Sequence, residues 1–109
     1  MTEHTRTAIT FSRIAERLVN ENPGVAYGKM MSSPAITYKG KVFAFYYADK
    51  MVFKLGREFN PEAHGIQHWG VLSPFTSKPP MHDWIEVDAG EMEKWEMLAE
   101  QALQRMFPK

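Results

Sequence analysis

Between Gly28 and Gly56 the chain carries three apolar runs rich in β-branched and aromatic residues, separated only by short turn signals. Such runs suit a pleated, partly buried surface better than a helix. Strands are predicted over residues 25–31, 35–38, 41–47 and 51–55. Ser32-Ser33-Pro34, Lys39-Gly40 and Ala48-Asp49-Lys50 mark the turns between them. At Lys39-Gly40 the glycine supplies the positive φ that a tight hairpin needs. The run from 41 to 47 is apolar on both faces, with Val42, Ala44 and Tyr46 on one and Phe43, Phe45 and Tyr47 on the other. That pattern predicts a central strand covered on both sides. The whole stretch reads as an antiparallel meander.

Helical periodicity lies outside this block. Phe11, Ile14, Ala15, Leu18 and Val19 recur at spacings of three and four, the apolar stripe of one helix. Thr10 is the expected N-cap, residues 1–7 are expected to be flexible, and Asn22-Pro23-Gly24 is the stop. Residues 57–63 read as a short helix that tolerates Pro61 near its start. Residues 66–83 read as irregular, broken by Gly70, Pro74, Pro79 and Pro80. A last strand is predicted over 84–87. Asp88 and Glu91 then have the spacing of a capping box. Met92, Trp95, Leu98, Ala99, Ala102, Leu103 and Met106 trace the stripe of a long C-terminal helix. The expected fold is α+β: one domain of 109 residues, an antiparallel sheet flanked by N- and C-terminal amphipathic helices.

Composition narrows the function classes. There is no cysteine, which excludes disulfides, thiolate metal sites and cysteine nucleophiles. No apolar run reaches the ~18 residues of a membrane helix. The N-terminal residues lack the apolar segment of a secretory signal, so a cytoplasmic location and no membrane partner are expected. Net charge is zero, which argues against a dedicated nucleic-acid binder. Its distribution is uneven. Residues 28–57 hold six basic side chains against Asp49, and residues 81–101 hold seven acidic ones against Lys94. The two blocks either carry separate solvated faces or lie against each other.

The order and spacing of several segments resemble the TfoX N-terminal domain family and the related MmcQ/YjbR-like proteins. They are Gly28-Lys29-Met30-Met31-Ser32-Ser33-Pro34, Gly40-Lys41-Val42-Phe43-Ala44, Val52-Phe53-Lys54-Leu55 and Pro80-Met81-His82-Asp83-Trp84, followed by the tryptophan-bearing C-terminal helix. The likeness covers roughly residues 10–107. It implies a small α+β fold with a curved antiparallel sheet and packing helices. It brings no catalytic residues and no cofactor. Named members of the family include two-domain regulators of natural competence, and the 109 residues are expected to hold only the first of those domains.

Two constellations are candidate sites. Lys39, Lys41, Lys50 and Lys54 lie on or beside hairpin turns, interleaved with Tyr38, Tyr46 and Tyr47. Lysines and aromatics on hairpins can follow a nucleic-acid backbone; lysines at edges also serve to block edge-to-edge pairing. His64, His68, Trp69, His82 and Trp84 form a second set, a candidate ligand loop. His64 and His68 have helical i, i+4 spacing, but Gly65 interrupts it and no His-Glu-x-x-His pattern is present, so no metal is expected. Ser32, Ser33, Ser73 and Ser77 lack a nucleophile elbow. Asp83, Glu86 and Asp88 are accounted for by capping and solvation. The expectation is a non-enzymatic binding or regulatory module, a monomer or weak dimer, acting through a protein partner. A nucleic-acid-binding module is the first alternative. A small enzyme or ligand carrier built on the loop from His64 to Asp83 is the second.

Overall fold

In this computed structural model, residues 3–30, 32–72 and 81–107 are described. They form an α+β domain in the order α1 (Glu3–Glu21), β1 (Val25–Met30), β2 (Ser33–Tyr38), β3 (Lys41–Tyr47), β4 (Lys50–Lys54), β5 (Trp69–Leu72), β6 (Met81–Val87) and α2 (Trp95–Met106). The strands make one antiparallel sheet in the order β1-β2-β3-β4-β6-β5. The meander of β1 to β4 is the one expected from sequence.

Turn chemistry explains its register. Lys39 and Gly40 have φ of 51° and 85°, and Ala48 and Asp49 have φ of 51° and 64°. Two positive φ values in a two-residue loop match the right-handed twist of the flanking strands. Ala48 is an unfavourable residue there, at a cost of roughly 1–2 kcal/mol. The next residue secures the turn: Asp49 accepts hydrogen bonds from Tyr46 Oη (2.9 Å) and Thr7 Oγ1 (3.0 Å). Between β2 and β3 the register shifts after Ile36, leaving Phe43 as the extra residue of a bulge.

Both helices lie on one face of the sheet. Phe11, Ile14, Leu18, Trp95, Leu98 and Leu103 join Val25, Ile36, Phe43, Met51, Phe53 and Val87 in one buried cluster. The opposite face carries a smaller cluster of Ala35, Phe45, Val52 and Trp84, with the Phe45 and Trp84 rings 5.5 Å apart. Strand β3 is therefore buried on both sides, as expected, but the bulge regroups its faces: Phe43 joins Ala44 and Tyr46 on the helix side, Val42 joins Phe45 on the other, and Tyr47 is exposed. Arg17 ties the helices together through Glu96 and through Glu100 at 2.7 Å. The acidic C-terminal block thus meets α1 rather than the basic meander, apart from a Lys50–Glu86 contact at 3.8 Å.

Several boundaries differ from expectation. Helix α1 starts at Glu3, so Thr10 is no N-cap; it sits inside the helix, where its hydroxyl donates to Arg6 O at 2.8 Å. The first turns are ordered because Thr7 is fully buried against Tyr46 Oη at 2.7 Å. Residues 69–72 are not irregular but form β5, and β6 begins at Met81 rather than Trp84. Residues 57–63 yield only a 3₁₀ turn, Pro61–His64, capped by the Asn60 side chain. Asp88 and Glu91 do not form a reciprocal box. Asp88 caps a 3₁₀ segment, Ala89–Lys94, through Gly90 N–H at 2.9 Å, and Glu91 points elsewhere.

Candidate functional site

The polar residues that converge lie at the β5 end of the sheet, on the face away from the helices. Lys50, Gln67, His68, Trp69, Gly70, Glu86 and Asp88 line a depression of about 350 Å³. Strand pairing sets this up. Gly70 stands opposite Glu86, which stands opposite Val52 on β4, so all three share the helix-free face. Lys50 is two residues from Val52 and joins that face by alternation. Its neighbour across the turn, Tyr47, is 57% exposed.

The wall formed by Gln67 and His68 is fixed from beneath. Glu91 is buried and accepts from the backbone N–H groups of Gln67 and of His68, the latter at 2.8 Å. Lys94 donates to Glu91 at 3.0 Å and to Gly65 O at 2.7 Å. The His68 N–H first, and then the Lys94 ammonium, hold the Glu91 carboxyl down at about 2. Gly65, with φ of 76°, makes the left-handed turn that starts this segment. At the far side, burial raises the Tyr46 phenol above its ordinary value, and the Asp49 carboxylate adds to that. Both perturbed groups thus support the two loops that border the depression.

A second depression, also about 350 Å³, lies on the helix side of the same edge. Arg57, Phe59, Trp69, Val71 and Ile85 line it. Trp69 therefore borders both hollows, and it is 37% exposed.

The lysines expected to act together are dispersed. Lys39 and Lys41 flank the β2–β3 turn, whereas Lys50 follows the β3–β4 turn at the opposite end of the sheet. Lys50 and Lys54 stand at the two ends of β4 on the same face, roughly 13 Å apart along the strand. Lys41 pairs with Tyr38, which packs on the helix side, and Lys54 pairs with Trp84 on the other face. Lys39 lies over the Tyr38 ring at 5.4 Å.

The loop set separates too. His64 stacks on Phe59 at 4.6 Å and its Nδ1 lies 3.1 Å from Asn60 O. His68 and Trp69 line the polar depression, while Trp84 is buried beneath Phe45. His82 belongs to β6, with its side chain outside the described residues, as are Ser73 and Ser77. Among the described residues, no three histidine, aspartate or glutamate side chains converge as a metal site. Lys50 meets Glu86 because β4 pairs with β6, a pairing between strands distant in sequence that the charge blocks alone leave open, and the loop reading of residues 66–83 hides β5 beside them. The alternation of Trp69 and Val71 around Gly70 was the available signal.

Comparison of the chain with family models, with curated proteins and with solved structures returns no match.

Proposed function

We infer that this domain is a non-enzymatic binding module of the TfoX N-terminal-domain type, acting through protein contacts at the β5 end of its sheet. The observation that carries this reading is the polar depression of about 350 Å³ bordered by a part-exposed tryptophan. Aromatic anchors beside partly desolvated charges are typical of protein contact surfaces. The α+β architecture agrees with what the resemblance implies, and the helices brace the sheet from the other face. The strongly held polar groups serve as struts: Arg17 between helices, Glu91 under the loop, Asp49 in the turn. The dispersal of Lys39, Lys41, Lys50 and Lys54 over two ends and two faces weighs against a phosphate-tracking surface.

The test is affinity capture on the immobilised full chain. The reading predicts a protein retained by the wild type and by Lys39→Ala/Lys41→Ala, and lost by Trp69→Ala. Retention that follows Lys39 and Lys41 but ignores Trp69 would contradict it. Fluorescence anisotropy of labelled duplex DNA at low salt is expected to stay flat.

A further inference from the structure

The contact surface inferred above centres on an edge strand, and we propose that β5 accepts an extended peptide as an added strand, with basic and apolar side chains in alternation. This rests on the binding-module reading and specifies the partner's chemistry.

Strand β5 ends the sheet. Asp88 N–H donates to His68 O at 3.3 Å, so His68 and, two residues on, Gly70 face β6. In an antiparallel pair the intervening residues then turn their N–H and C=O groups outward. Those residues are Trp69 and Val71, and no other strand of the sheet lies beyond them among the described residues. Sheet edges are usually protected by lysine, proline or a bulge that twists them away. The strand Trp69–Leu72 contains neither charge nor proline, and its one register shift against β6 falls after Val71, beyond the regular stretch that turns Trp69 and Val71 outward.

The two depressions then fall where alternate side chains of an incoming strand would point, one to each face. The helix-side hollow, whose lining besides Arg57 is Phe59, Trp69, Val71 and Ile85, suits an apolar side chain. On the other face the hollow holds two carboxylates, Glu86 and Asp88, against one ammonium, Lys50. Lys50 approaches Glu86 only to 3.8 Å. The charge surplus is negative and an indole borders it, a combination that favours a guanidinium or ammonium group. Gly70 leaves the entrance open, since a Cβ built there meets nothing within 4 Å. A second copy of β5 would instead bring two such acidic hollows together, which disfavours self-pairing.

The experiment uses the isotopically labelled full chain and three synthetic hexapeptides followed by amide NMR. They are Arg-Val-Arg-Val-Arg-Val, Glu-Val-Glu-Val-Glu-Val, and the first peptide N-methylated at alternate residues. The proposal predicts that the basic peptide shifts the Trp69 and Val71 amides and slows their exchange. N-methylation on the pairing side should weaken binding about tenfold or more, and Asp88→Asn by roughly threefold to tenfold. Equal binding of the acidic peptide, or changes confined to Tyr27 and Lys29 on β1, would overturn it. So would no response at millimolar peptide, or protection of Trp69 and Val71 that rises with protein concentration alone. If the peptides fail while a captured partner is still lost by Trp69→Ala, the added-strand inference falls and the binding-module reading stands. If capture is also insensitive to Trp69→Ala, both fall.

Discussion

The two edges of the sheet each carry a glycine mid-strand, and the two glycines do opposite things. On β1, a Cβ at Gly28 would approach Thr37 Cγ2 to 2.6 Å. Thr37 is itself buried and its hydroxyl donates to Ala26 O at 3.2 Å, so β1 is stitched tightly to β2. On β5, a Cβ at Gly70 would meet nothing within 4 Å. One glycine is there for close packing and the other leaves a gap. The edges also differ in protection. Strand β1 carries exposed Lys29, whereas β5 is uncharged and lies between two hollows. An edge made by packing and an edge left open are different devices, although both read as a glycine in a short apolar run.

The largest expected effect falls on the core that supports both edges alike. Trp95 is fully buried at the start of α2, and Trp95→Ala should cost ~3–5 kcal/mol in urea unfolding. An unchanged midpoint would remove the common platform from the comparison. Next comes the contrast itself. Gly28→Ala forces the Thr37 methyl aside and should cost ~1–3 kcal/mol by the same measurement. A neutral result would mean that β1 is as loose as β5.

Glu91 sharpens the contrast from the β5 side. Its carboxyl is held at about 2 against an ordinary 4.5. The folded state therefore takes up this proton less readily than the unfolded chain. The contribution is complete above pH ~4.5 and is lost as pH falls towards 2. The protection of the Gln67 and His68 amides, relative to their intrinsic exchange rates, should fall over that window while that of the β1 amides holds, and Glu91→Gln should flatten the dependence. Identical acid responses at both edges would contradict the support assigned to Glu91. Smallest of all, Gly70→Ala should change stability by less than about 0.5 kcal/mol, checked by thermal melting.

Much of this architecture was legible in the sequence because its signals are local. The Lys39-Gly40 turn, the doubly apolar run from 41 to 47 and the stripe from Leu98 to Leu103 each declare themselves within a few residues. The start of α1 was hidden because its key residue is polar: Thr7 is buried by partners 39 and 42 positions away. Strand β5 was hidden because four residues around a glycine give almost no periodicity, and its partner β6 supplies the order. Glu91 sits at capping-box spacing from Asp88, yet two backbone N–H groups and Lys94 compete successfully for its carboxylate. The lysines illustrate the converse. They are close in sequence, but antiparallel pairing sends them to opposite ends and opposite faces.

Native-state amide exchange of the unliganded chain along residues 68 to 71 tests the open edge most directly. His68 is held by Glu91 and Gly70 faces β6, so both amides should be protected. Trp69 and Val71, turned to the outside, should exchange at close to unfolded-chain rates. Equal protection at all four positions would mean that something already occupies that edge, and the surface assigned here to a partner would not exist.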